Sequence, residues 1–162
     1  MLMSVTANIE SGSSKRLANL KKRMESLVKL KIQSGHFQDS GMHPTAEMTY
    51  PELAFKLSVT YPQRDLRIGV ENYVRNNQQL KSKLKKKTKN YLYDSKPLIQ
   101  DMTVVATDIS EYAQSLFGVP SSFNPSNSFE WANYKNGDTP LVHEGYLKAS
   151  WTYKILQNGN TS

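Results

Sequence analysis

The stretch from Thr139 to Ile155, TPLVHEGYLKASWTYKI, narrows the folds open to this chain more than any other. Pro140 fixes its own φ and biases Thr139 towards an extended conformation, while Gly145 can take a positive φ that His143 or Glu144 would reach only at a cost. A corner is expected there, with Pro140, Gly145, Leu147 and Trp151 as its structural residues. From Trp151 the order Trp, Thr, Tyr, Lys, Ile puts Trp151, Tyr153 and Ile155 on one side of a strand and Thr152 and Lys154 on the other. Such a strand is expected to close a half-buried sheet.

A chain of 162 residues is long enough for one ordinary domain and short for two. The expected division is an N-terminal arm at 1–12, a single domain at 13–157 and a C-terminal tail at 158–162. With 38% apolar residues and a mean hydropathy of −0.60, the core is modest and part of the surface is expected to be completed by partners. The absence of cysteine excludes disulfides, thiolate catalysis and cysteine metal sites. No basic leader precedes an apolar run and no window approaches a membrane-spanning length, so a protein made in the cytoplasm and free of membrane contact is expected.

The net charge of +7 is concentrated. Tyr73 to Tyr93 holds Arg75 and Lys81, Lys83, Lys85, Lys86, Lys87 and Lys89 with no acidic residue. Once these seven are set aside, the remaining 14 basic residues match the 14 acidic ones. One segment carries the whole imbalance.

Periodicity supplies the other elements. Leu17, Leu20, Met24 and Leu27 recur at helical spacing from Ser13 onward, a stripe expected to face a core. At Leu27 the period changes, and Val28, Leu30 and Ile32 alternate with polar residues as in a strand. Ser34 to Met48, rich in glycine and turn formers, reads as a loop. Thr49, Pro51 and Glu52 suit the start of a short helix that Tyr61-Pro62 stops. Leu66, Val70, Tyr73, Leu80, Leu84 and Tyr91 predict a long helix from about Asp65 to Tyr91, weakened near Asn76-Asn77. After Pro97, the run Leu98, Met102, Val105, Ile109, Ala113 and Leu116 predicts a second strong helix, stopped by Gly118. Ser121 to Ser128 reads as a loop, and Asn136-Gly137-Asp138 as a turn. The fold class is α+β: a small antiparallel sheet packed by two or three helices, with long loops and an N-terminal arm.

The ending resembles the final corner and strand of bacteriophage tail-completion proteins, the head-to-tail joining or minor tail proteins of long-tailed phages. Pro140, Leu141, Gly145, Leu147, Ser150 and the strand from Trp151 keep that pattern; His143 and Glu144 stand where the family often has Asp and Thr. Leu27 to Phe37 is similar to the family's first strand and the turn after it. Tyr61 to Asn72, with Pro62, Arg64 and Arg67, is similar to its proline and arginine element, and Leu53 to Val59 lies where its short preceding helix would be. The resemblance implies a non-enzymatic subunit of a ring, six-fold by expectation, where the tail meets the capsid neck. Its partners would be further copies of itself, the tail tube or tail terminator and the neck or connector proteins. Such a ring would surround the path of the genomic DNA, and the protein would reside in the virion after assembly in the host cytoplasm.

The lysine run Lys81 to Lys89 is a candidate contact for DNA or for an acidic partner. Lysines neutralise phosphates without reading sequence, but long lysine faces are more often solvated or paired with an acidic neighbour. The rival reading of the whole chain is a basic, non-sequence-specific DNA-binding accessory protein that uses this helix. Trp131, Tyr134, His143 and Glu144 are candidate subunit contacts, aromatic residues being common at such sites. His36 and His43 share a loop with Asp39, yet no spacing there fixes a coordination geometry; both are read as exposed loop histidines. His143, Glu144 and Ser150 lack a nucleophile elbow and an identifiable oxyanion hole, so no catalytic residue, cofactor or metal is assigned.

Overall fold

The structure, a computed structural model, describes the backbone of residues 2–94, 96–120, 126–134, 145–157 and 160–161, and their side chains apart from those of 2–12, 129, 131–132 and 160–161. In chain order the elements are α1 (Leu2–Val28), β1 (Lys31–Gly35), α2 (Tyr50–Thr60), α3 (Leu66–Asn76), α4 (Gln78–Asp94), α5 (Leu98–Leu116), α6 (Phe129–Tyr134), α7 (Tyr146–Ala149), β2 (Thr152–Gln157) and β3 (Asn160–Thr161). Single 3-10 turns lie at Gln38–Ser40 and Pro62–Arg64. The fold is α+β. Its antiparallel sheet has the order β1-β2-β3, and α5 packs against both β1 and β2.

The predicted α5 stripe is the axis of the core. Leu98, Met102, Val105, Ile109 and Ala113 are all buried, joined by Ala106 and Ser110 on the same face, while Leu116 packs at its edge. Two apolar clusters meet along this helix. One gathers Val70, Leu80, Val105, Phe117, Leu147 and Trp151; the other gathers Leu98, Met102, Ala106 and Ile155. Gly118, at φ 80, turns the chain away after the helix as its position predicts.

The long helix predicted from Asp65 to Tyr91 is two. Asn77 adopts an extended ψ of 109, and its side-chain Oδ1 accepts the Leu80 backbone N–H at 2.8 Å, capping α4. Leu66, Val70 and Leu80 are buried, and Tyr73 stacks on Tyr112 with centroids 3.9 Å apart. Leu84 departs from the expected stripe at 41% exposure. In α2, Glu52 Oε2 accepts both the backbone N–H of Thr49 at 2.8 Å and its hydroxyl at 2.7 Å, which fixes the predicted start.

Two N-terminal expectations need correction. The helix begins at Leu2 rather than near Ser13, so residues 2–12 of the segment expected to be an arm have a helical backbone that is part of α1. Its stripe does not face a core throughout, because Leu17 is 69% and Met24 53% exposed. Periodicity identifies residues that share a face; it does not supply a neighbour for that face. Near its end α1 is held by Arg23, whose Nη1 donates to the Leu92 carbonyl at 2.7 Å in the last turn of α4. β1 then starts at Lys31, and Val28 closes the helix at 84% exposure, whereas Leu30 and Ile32 keep the predicted inward alternation.

Gly145 lies at φ 81 and ψ −5, the left-handed conformation expected of the corner. It leads into one turn of helix, α7, before the strand, with the Ala149 N–H bonded to the Gly145 carbonyl at 2.9 Å. Trp151 and Ile155 are then buried and Tyr153 half-buried on one side, with Thr152 exposed on the other. β2 pairs with β1 so that Ile155 lies opposite Ile32 and Thr152 opposite Gly35. Pro140, His143, Glu144 and the turn at 136–138 lie outside the described residues.

Candidate interaction surfaces

The lysine run divides into two faces. Lys83 Nζ donates to Asp108 Oδ2, and Lys87 Nζ to Asp101 Oδ1 at 2.7 Å. These two lysines lie one turn apart on α4, and their partners lie two turns apart on α5, the order reversed as antiparallel helices require. Lys81, Lys85, Lys86 and Lys89 remain exposed. The candidate contact is thus four lysines, and the other two bind the helix to the body. Asp101 and Asp108, seven positions apart on one side of the α5 stripe, are the sequence signal that points to this clamp.

A cleft of about 290 Å³ brings together the three segments that carry the family resemblance. Ser34 to His36 enter from the end of β1, Arg64 to Arg67 from the start of α3, and Leu147 and Trp151 from the corner. Trp151 Nε1 donates to Ser34 Oγ at 2.8 Å, and Gln114 Nε2 donates to the Trp151 carbonyl at 2.7 Å. Both arginines are engaged, Arg67 locally and Arg64 with a distant segment. Arg67 holds the Asp65 carboxylate with its guanidinium at 2.6 Å, and Arg64 Nη2 donates to the Ser126 carbonyl at 3.0 Å. The guanidinium beside Asp65 keeps that carboxyl below the usual range.

His36 is a correction. It was expected in an exposed loop, yet it is half-buried, edge-on to Trp151 at 5.0 Å and to Phe117 at 6.3 Å. Burial lowers its pKa to about 4, against the opposing effect of a hydrogen bond to Ser150, so the ring is neutral near pH 7. Its Nδ1 lies 2.8 Å from Ser150 Oγ, and the Ser150 hydroxyl donates to the Leu147 carbonyl at 3.0 Å. The pair ties the end of β1 to the corner.

His43 is also half-buried, between the rings of Tyr50 and Tyr146 at 5.6 and 5.7 Å. Asp39 is drawn away to Lys154 Nζ at 2.6 Å, a partner that keeps its carboxyl below the usual range. Among the described residues, no group of three or more His, Asp or Glu side chains could hold a metal ion.

Exposed apolar side chains form two further features. Leu17 and Met24 lie on α1, while Phe55 at 66% and Val59 at 61% exposure stand one turn apart on α2. Tyr134, expected at a subunit contact, is 70% exposed; the side chain of Trp131 and the whole of His143 and Glu144 are outside the described residues. No helix among the described residues is long and apolar enough to cross a membrane. No protein-family model, curated protein or solved structure matches the chain.

Proposed function

We propose that this protein is a non-enzymatic structural subunit of a phage particle, forming a ring of copies at the head-to-tail joint and helping to make tail attachment productive. The observation that carries the reading is the exposure of apolar side chains on two separate helices, Leu17 and Met24 on α1 and Phe55 and Val59 on α2. A head-to-tail contact between identical subunits needs two different surfaces, and exposed apolar groups gathered on an element are a mark of assembly. The resemblance supplies the place in the particle. In support, its three segments, distant in sequence, line a single cleft. The partners are then further copies of the chain, the tail tube or terminator and the connector, and the location is the virion.

The test combines imaging with solution size. Particles lacking the protein are expected to appear as full heads beside finished, unattached tails, and normal particles would remove the joining role. Purified protein is expected to form rings, alone or on tails, that Phe55→Asp disperses without unfolding the monomer.

The exposed set Lys81, Lys85, Lys86 and Lys89 favours a second reading, a basic accessory protein that binds duplex DNA without sequence preference. On that reading the monomer binds duplex steeply at low salt and never forms a ring. Charge reversal at Lys85 and Lys86 separates the two: it abolishes duplex binding in the second and leaves ring formation intact in the first.

A further inference from the structure

Beside β1 lies a groove of about 680 Å³ whose lining includes Ile32 and Ser34 of β1, Leu30 just before it, Val74 of α3 and Leu84 of α4, over Met102 and Val105 of α5. The lining takes residues from β1 and none from β2, so the groove follows the side of β1 that β2 does not use. Among the described residues β1 is an edge strand of the sheet, and an edge strand offers a row of backbone donors and acceptors on its open side. An open edge next to an apolar floor has the two parts of a strand-addition site: main-chain hydrogen bonds for affinity and pockets for alternate side chains. An added strand about 4.8 Å from β1 would lie above α5, the helix that already supports β1 and β2.

The rim specifies the occupant. Lys31 is exposed on the outward face of β1, Lys29 is exposed just before it, and Lys81 and Arg75 line the helical wall. Lys85 follows one turn after Lys81 and is also exposed. Glu71, the acidic residue of the lining, lies 3.8 Å from Arg75 and offsets it. We infer that the groove is a docking site for an extended acidic segment of another protein, which adds a strand to β1 with apolar residues inward and Asp or Glu outward. A basic segment, including the lysine- and arginine-rich α1 of a second copy, meets like charge there. Inward residues take the place that leaves Val74 and Leu84 at 40% and 41% exposure. Outward carboxylates face Lys31 across the strands, an opposite-charge pair of the kind that stabilises strand pairing. This docking requires only the monomer and stands independently of ring formation.

The probe is a labelled, end-capped peptide of alternating valine and glutamate, followed by fluorescence anisotropy with the full chain at low salt. Two control peptides accompany it: one with lysine in place of glutamate, and one with a central proline that removes a backbone donor. The acidic peptide is expected to bind and to slow amide exchange within Lys31–Gly35. Leu84→Ser and Lys31→Glu, both at exposed positions, are each expected to weaken binding by roughly tenfold. Val74→Ser is a second wall variant should Leu84→Ser disturb α4. Equal binding of the lysine or proline peptide, unchanged exchange in β1 at saturation, or no binding at all would each overturn the inference. Self-association of the chain that the wall variants dissolve would also overturn it, because the occupant would then be a second copy.

Discussion

His36 is neutral because its ring is enclosed by Trp151 and Phe117, and that enclosure makes stability depend on pH in a window set by one residue. Its pKa falls from 6.5 to about 4 on folding. Between those values the unfolded chain binds more protons than the folded one, so stability drops as pH falls from 6.5 to 4 and is insensitive to this group outside that range. The upper limit of the effect is about 3 kcal/mol. Urea unfolding across this window should therefore show a decline that His36→Gln flattens. Asp39, Glu52 and Asp65, whose carboxyls are all held low, add to the decline from their ordinary values of 4.5 for Glu52 and 3.8 for the two aspartates downward. Gly145 gives a second test. A Cβ built there meets nothing within 4 Å, so replacement acts through φ alone. Gly145→Ala is expected to destabilise by about 1–2 kcal/mol and Gly145→Asn by less, because asparagine tolerates the left-handed region. Equal losses for the two variants would point to packing instead. The glycine's conformation was legible from its type and neighbours; the enclosure of His36 was not, because Trp151 and Phe117 approach it from remote parts of the chain.

At the scale of elements, α4 is joined to α5 by charge as well as by apolar packing. Lys87 is the informative residue, its partner Asp101 having a side chain only 13% exposed. Removing Lys87 leaves that carboxylate uncompensated, and Lys87→Ala is expected to cost about 1–3 kcal/mol. Lys86→Ala, one position along and facing solvent, should stay within about 0.5 kcal/mol. Thermal unfolding of the two variants side by side checks the division of the lysine run, and similar costs would contradict it. The break between α3 and α4 is a separate matter of capping. Asn77→Ala should cost about 1 kcal/mol through loss of the bond to the Leu80 N–H, and Asn77→Asp should keep most of it. The weak point near Asn77 was visible in the sequence as polar residues interrupting a stripe. The clamp was not, since lysine spacing alone does not say which helix lies alongside.

Over the whole molecule, Trp151 connects the parts. It is 5% exposed, donates to Ser34 of β1, accepts from Gln114 of α5 and packs against Phe117. Trp151→Ala is expected to cost about 3–5 kcal/mol, a large share of the stability of a single domain. Loss of the cooperative unfolding transition, followed by circular dichroism, is the measurement; a variant as stable as the parent would mean that the corner is peripheral. The sheet itself joins Lys31–Gly35 to Thr152–Gln157 across nearly the whole chain. By itself the amino-acid order determined the α5 stripe, the start of α2, the interruption at Asn77, the left-handed corner and the inward side of the last strand. Each of these depends on φ preference or on residues within a turn or two of one another. Among the described residues, only the tertiary structure decided which lysines stay exposed, that His36 is enclosed, that Leu17 and Met24 of the α1 stripe stay exposed and that β1 is an edge strand. Those outcomes depend on surfaces brought together from distant segments, and a local period records which residues share a face but not what that face meets.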